Sequence, residues 1–217
     1  MNKLFEEIKK TVIAGKHTEI EALVESAVEG KLNLDDLINT ALIGAMDVVG
    51  DRFAKSEIFV PEMLVAALTM KKGLDIIKPL LKNQEVQSRG KIVLCTVQGD
   101  LHDIGKNLVA MMLEGAGFEV IDLGVDVTVE NVVAKIAEIQ PQVLGLSALL
   151  TTTMPEMENV INNLQTEGMR KSVKVMVGGA PLDAEFAQKI GADAYGKDAA
   201  EAVTLARRFI NMNPSQK

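Results

Sequence analysis

The sequence predicts an α/β protein in two parts: a four-helix region over residues 1–83 and a doubly wound five-stranded parallel sheet over residues 91–217, joined by a linker at 84–90. Three observations carry that expectation. In the first part, apolar residues recur at intervals of three and four with few β-branched clusters, which is a helical period. In the second, short apolar runs alternate five times with helical stretches, the signature of an open parallel sheet covered on both faces. Between them the run Asn-Gln-Glu-Val-Gln-Ser-Arg-Gly at 83–90 is polar and aperiodic.

In the helical part, Leu4 to Ala14 is closed by Gly15. Thr18 is placed to cap a helix that runs to Val28 and ends at Gly30, and Asn33 to cap a long one from Leu34 to about Lys55. A fourth begins at Pro61, because proline at the first helical position forfeits no hydrogen bond; Phe59 would staple its first turn, and Pro79 marks its end near Ile77. The strands are expected at Lys91 to Val97, Phe118 to Asp122, Gln142 to Ser147, Val173 to Val177 and Ala192 to Tyr195. This pattern is Rossmann-like, in the flavodoxin-like strand order 2-1-3-4-5, where ligands sit outside the carboxyl ends of strands one and three.

Composition narrows the function classes. A 47% hydrophobic content over 217 residues supports a packed core without staples. The single cysteine, Cys95, lies inside the first apolar run and is expected to be a buried, inert thiol. No apolar run approaches the roughly 20 residues of a membrane span, and the charged start Asn2-Lys3-Leu4-Phe5-Glu6-Glu7 is unlike a signal peptide, so a cytoplasmic protein without a membrane partner is expected. A net charge of −7 with scattered basic residues, and no tryptophan, argue against nucleic acid.

The most informative stretch is Gly99-Asp100-Leu101-His102-Asp103-Ile104-Gly105, which follows the first strand and opens a helix. A histidine there, two residues after a carboxylate, can present one ring nitrogen to a metal while the other is held by a hydrogen bond. The third strand ends in the hydroxyl-rich Ser147-Ala148-Leu149-Leu150-Thr151-Thr152-Thr153, and the fourth in Gly178-Gly179. Small residues at these ends let a bulky ligand approach the backbone, and hydroxyls supply uncharged donors.

Each of these residues also has a simpler reading. An isolated D-x-H is more often a satisfied loop histidine, and zinc is poorly supported because the other histidine, His17, belongs to the helical part. Asp103 and Asp122 read as caps or solvated turns, and Lys106 as an exposed helix position. A phosphate-binding or receiver domain shares the strand order. However, strand three ends in Ser147 rather than an aspartate, and the first loop is not the glycine-rich turn that nucleotides require.

The D-x-H-x-x-G of Asp100, His102 and Gly105, the S-x-L of Ser147 and Leu149, and the G-G of Gly178 and Gly179 occur in the order and spacing of the cobalamin-binding corrinoid proteins of methyltransferase systems, which the chain resembles over nearly its whole length. The resemblance implies cobalamin or another corrinoid as cofactor, cycling between cob(I)alamin and methylcobalamin. It implies His102 as the lower axial ligand of cobalt, in place of the cofactor's own benzimidazole. The nucleotide tail would then enter a slot beside the sheet lined by Ser147, Leu149, Gly178 and Gly179, and Gly99, Leu101, Asp103, Ile104 and Thr151 are implied as further cofactor-binding residues. Asp100 would accept a hydrogen bond from His102, and a loop hydroxyl would complete the relay; the methionine synthase branch has serine where this chain has Thr153.

In the relatives the helical domain caps the methyl-bearing face of the corrin. The segment Val49-Gly50-Asp51-Arg52-Phe53, with Ile58-Phe59-Val60-Pro61-Glu62-Met63, resembles that cap, and Phe59 and Met63 are the residues expected nearest the methyl group. A helix staple and ordinary core contacts are the alternative for these two. With no substrate barrel, the resemblance implies a methyl carrier that is not a complete enzyme. A substrate-specific methyltransferase, for methylamines or betaines, would load it; a second, using tetrahydrofolate or coenzyme M, would unload it; and a reductive activase would restore it. A cobalamin sensor without methyl turnover is the competing class.

Overall fold

The structure, a computed structural model, describes residues 3–80 and 88–211, so most of the expected linker lies outside the described residues. The chain divides into two compact units, residues 1–88 with 115–117 and residues 89–114 with 118–217.

The first unit is helical. Helix α1 (Lys3–Ile13) is followed by α2 (Ile20–Glu29), and α3 (Leu34–Asp36) runs without interruption through a π-helical segment, Leu37–Ile43, into α4 (Gly44–Ala54). Helix α5 (Val60–Ile77) closes with a single 3-10 turn at Lys78–Leu80, around Pro79. Asn33 caps as its residue type predicts, its side chain accepting from the Asp36 amide at 2.9 Å. Ile8, Val12, Ile20, Val24, Leu42 and Ile77 are fully buried, and α2 packs on α5 while α1 packs on α4.

Two helix starts differ from expectation. Thr18 caps nothing: the turn after Gly15 continues through Glu19, whose amide donates to the Lys16 carbonyl at 3.0 Å and which itself precedes α2. Phe59 does not staple α5, since it is 67% exposed. Its amide instead donates to Glu62 Oε2 at 3.1 Å, a carboxylate reaching back across the first turn, and the helix begins at Val60, so Pro61 stands second.

The second unit is a five-stranded sheet of order β2-β1-β3-β4-β5, with every pairing parallel. Strands β1 (Lys91–Thr96), β2 (Glu119–Asp122), β3 (Val143–Ser147), β4 (Lys174–Gly178) and β5 (Ala194–Tyr195) fall where the apolar runs predict them, each a residue or two shorter at one end, with β4 also running on to Gly178. Between and after them come α6 (Ile104–Gly115), α7 (Val129–Ile139), α8 (Pro155–Thr166), α9 (Ala184–Lys189) and α10 (Ala199–Asn211).

The three inner strands are buried on both faces, as parallel sheets require. Val93, Cys95, Leu144, Leu146, Val175 and Val177 belong to one apolar core with Val132 and Ile136 of α7 and Met157, Ile161 and Leu164 of α8. At the amino ends of the strands, Asp193 accepts from Arg170 Nη2, Lys174 Nζ and the Val175 amide, each at 2.8 Å. Burial alone would raise this carboxyl; the hydrogen bonds from Lys174, Val175 and Arg170 outweigh it and hold Asp193 below its ordinary value. The register sets the other edge. Thr96 lies opposite Ser147, and Ser147 opposite Gly178, so the loops after β1, β3 and β4 leave the sheet side by side.

Candidate functional site

The loop after β1 is pinned before its side chains are considered. Val97 makes a last parallel bridge to Val127 beyond the strand. The Gly99 amide donates to Asp126 Oδ1 at 2.7 Å, the Asp126 amide donates to the Asp100 carbonyl at 3.0 Å, and the Thr96 hydroxyl donates to the His102 carbonyl at 2.9 Å. Asp126 takes a positive φ of 53° to do this, a conformation aspartate tolerates better than most residues.

Asp100 is fully buried at the centre of the site. Its Oδ1 accepts from the His102 amide at 3.1 Å and lies 2.7 Å from His102 Nδ1. Its Oδ2 accepts from the Leu149 amide at 2.7 Å, the Leu150 amide at 3.2 Å and the Thr153 hydroxyl at 2.8 Å. Burial pushes this carboxyl up. The backbone bonds from Leu149 and His102, joined by the His102 and Thr153 side chains, outweigh burial and hold it far below the ordinary carboxylate range. Asp100 is therefore an anion, and an anionic acceptor requires the Nδ1 facing it to carry the proton.

The tautomer follows. With Nδ1 as donor, the lone pair of His102 is on Nε2, which has no protein partner among the described residues, and the side chain is 51% exposed. Leu101 and Ile104 flank it as exposed apolar residues, Ile104 at 86%, and Leu149 and Leu150 present further exposed apolar surface from the loop after β3. A basic nitrogen set among uncovered apolar side chains suits a flat, largely apolar ligand that brings its own metal. Among the described residues no three His, Cys, Asp or Glu side chains converge to hold a metal ion. A metal already held in a macrocycle needs only one axial ligand.

The glycines separate into two kinds. A Cβ on Gly179, at φ +143°, would fall 1.9 Å from the Ala148 carbonyl oxygen, so the close approach of the loops after β3 and β4 demands glycine there. A Cβ on Gly105 would meet nothing within 4 Å. Glycine near the start of α6 weakens the helix without relieving any protein contact. Of the remaining expected residues, Ser147, Gly178 and Asp103 are partly buried, while Gly99 and Thr151 are exposed. Phe59 and Met63 belong to the helical unit, where Met63 is fully buried and only Phe59 offers surface.

His17 is exposed, as expected. Cys95 is buried and its thiol is pushed up to about 12, by burial first and by the Asp122 carboxylate second, which makes it inert. Lys106 differs from expectation: its side chain is 3% exposed, because its Nζ donates to Asp122 Oδ2 across the top of β2 and to Asn107 Oδ1 at 2.9 Å. Asp122 is accordingly an ion-pair partner as well as a turn residue, its Oδ1 accepting from the Gly124 amide at 2.9 Å. Thr96, Asp126 and Asn107 were not anticipated from sequence; only the Leu123-Gly124-Val125-Asp126 turn carried a local signal of special backbone.

Two family models, each described as a B12 binding domain, match the chain, one at residues 90–204 and the other at residues 4–78. Dimethylamine corrinoid protein 1 of Methanosarcina acetivorans is 43% identical over 209 residues, covering 96% of this chain and 98% of the relative. The trimethylamine corrinoid protein of Methanosarcina barkeri is 39% identical over 194 residues, covering 88% of this chain and 89% of the relative. Among solved structures, the methanol:cobalamin methyltransferase complex MtaBC from Methanosarcina barkeri contains a chain that matches with a TM-score of 0.89 at 30% identity, covering 98% of this chain and 81% of that one.

Proposed function

This chain belongs to the B12-binding domain family, and from that premise we propose that it is the corrinoid methyl carrier of a multicomponent methyltransferase, loaded by a methylamine or betaine methyltransferase. The observation that carries the reading is the Asp100–His102 pair: a buried carboxylate fixes Nδ1 as the donor and leaves Nε2 as a free ligand on an exposed apolar surface.

His102 Nε2 would ligate the cobalt, and Gly105, Leu101, Ile104 and Leu150 would give the macrocycle clearance and apolar contact. Ser147, Leu149, Gly178 and Gly179 would line the route of the nucleotide tail, and Thr151, Gly99 and Asp103 would be further cofactor-binding residues. Of the two cap candidates, Phe59 has the exposed surface that a methyl-facing role would need, and Met63, fully buried within the helical unit, does not. When bound, cobalamin supplies a cobalt centre that takes up a methyl group in its reduced state and releases it to an acceptor.

The protein's own part is to hold a ligand whose strength can change. Asp100 holds the Nδ1 proton, which makes Nε2 a better donor, and the same carboxylate would stabilise the positive charge of the ring if Nε2 were released and protonated. Thr153 and the Leu149 and Leu150 amides keep Asp100 anionic through both states. An unloading methyltransferase using tetrahydrofolate or coenzyme M, and a reductive activase, complete the proposed cycle, and a carrier serving such enzymes is expected in the cytoplasm. The relatives' names favour this carrier over a sensor without turnover.

The test is reconstitution. Purified protein incubated with cobalamin should retain it through gel filtration, and the ultraviolet-visible spectrum should change in His102→Ala to that of a corrinoid lacking an imidazole ligand. Mixed with a di- or trimethylamine methyltransferase and its amine, the reduced protein should acquire the methylated spectrum. No retained corrinoid ends the reading; retention without methylation by any amine favours the sensor.

A further inference from the structure

Asp100 is not the only polar network at this loop. A second set of polar side chains runs from the end of β2 to Asp103, the residue after His102. Lys106 Nζ donates to Asp122 Oδ2 and to Asn107 Oδ1, and Asn107 Nδ2 donates at 2.9 Å to Asp103 Oδ2. The Asn107 amide donates to the Asp103 carbonyl at 2.7 Å, so Asp103 is held through both its backbone and its side chain.

Burying an ammonium costs several kcal/mol unless it is paired, and Lys106 is the only buried lysine among the described residues. An exposed lysine would serve the first turn of α6 equally well as a helix former, so helix propensity does not account for its burial. What the burial achieves is a tether. The carboxyl end of β2 is fixed in the sheet by its pairing with β1, and Lys106 transmits that fixed point through Asn107 to Asp103.

We propose that Lys106 is a positioning residue for His102: through Asn107 it locks the Asp103 flank of the loop, so that Nε2 keeps one direction while the axial ligand is bound and released. The inference rests on the carrier reading, since it concerns the strength of that ligation. Without the tether, residues 101–103 sample more conformations, and each ligation must pay the entropy of ordering them.

The experiment uses the full chain labelled with 15N-histidine and loaded with cob(II)alamin, whose electron paramagnetic resonance spectrum shows a doublet superhyperfine splitting when the histidine is coordinated and a triplet when the cofactor's own benzimidazole is. Lys106→Met should lower the equilibrium constant for His102 ligation about ten-fold, as loss of a partner behind a metal-bound histidine commonly does. Asn107→Ala, which leaves the Lys106–Asp122 pair intact, should act in the same direction, and Lys106→Arg should restore part of the loss. Asp193→Asn breaks the ion pairs at the amino ends of the strands and should lower stability while leaving the ligation unchanged.

Hydrogen exchange of the cofactor-free protein reads the tether independently, with amides 101–104 exchanging faster in Lys106→Met and Asn107→Ala. Wild-type splitting and wild-type exchange in both variants overturn the proposal. A wild-type protein that binds no corrinoid overturns the carrier reading instead, and exchange then still decides whether Lys106 holds the loop.

Discussion

The Thr153 hydroxyl lies 2.8 Å from Asp100 Oδ2, joining two loops whose contacting residues are 53 apart in the chain. The same oxygen is 2.9 Å from the Leu150 carbonyl, so the hydroxyl has two acceptors within reach, and the anionic one is the stronger. Thr153→Val keeps the shape and removes the donor. It should destabilise the α/β unit by about 1.5–3 kcal/mol, the usual worth of a hydrogen bond to a buried charge, whereas Thr153→Ser should stay within roughly 1 kcal/mol of wild type. Urea unfolding of the two variants checks this, and equal loss in both would assign the effect to packing.

Asp100→Asn replaces one acceptor oxygen by a donor among groups that all donate. Whichever way the amide turns, it faces either His102 or the Leu149 amide and Thr153 hydroxyl donor to donor. Corrinoid retention, or the fraction with imidazole coordinated, should fall about 10–100-fold. Spectra recorded at increasing cobalamin concentration measure it, and a wild-type binding curve would remove Asp100 from the relay.

The two kinds of glycine should separate cleanly. Gly179→Ala drives a methyl group into the Ala148 carbonyl and should leave little folded protein by circular dichroism. Gly105→Ala meets nothing in the protein and should raise the melting temperature of the cofactor-free form, by up to about 1 kcal/mol in stability. The same substitution should weaken corrinoid binding. A stabilised Gly105→Ala that binds normally would show that the open space is not used.

Stability should fall at both ends of the pH range. Asp100 and Asp193 are held below their ordinary 3.8, so what they contribute is complete above that value and is lost as pH falls through their folded-state values. Cys95 is raised from 9.0 to about 12, so its contribution is complete below 9.0 and is lost as pH rises from there toward 12. Urea midpoints from acid to alkaline pH measure both limbs. Cys95→Ala should flatten the alkaline one, and an unchanged alkaline limb would exonerate the thiol.

The sheet was legible because each strand is a short apolar run ending in polar turn residues; strand–helix alternation makes it parallel, and the order 2-1-3-4-5 is the common one for such a sheet. Asp100 and His102 were legible because two residues of spacing bring their side chains together on one turn. Lys106 was not. Its partner Asp122 is 16 residues away at the end of β2, so their meeting depends on how β2 pairs with β1, which no local pattern displays. Thr18 misled for a related reason: a good capping residue type was present, but the turn after Gly15 extended past it to Glu19. Asp126 reaches Gly99 only through a positive φ, and aspartate signals such a conformation weakly.

The π-helical segment Leu37–Ile43 has a consequence for how this part of the chain tolerates length change. Each wide turn accommodates an extra residue that an α-helix would have no place for. Deleting one residue there should leave a continuous helix rather than a break, but would rotate everything after it by about 100° around the axis. Val49, now buried, would exchange places with a neighbour that faces outward, and Gly50, Asp51 and Arg52 would turn with it. The segment thus acts as a phase setting for α4: insertions and deletions within residues 37–43 would change which residues that helix presents long before they changed whether it folds.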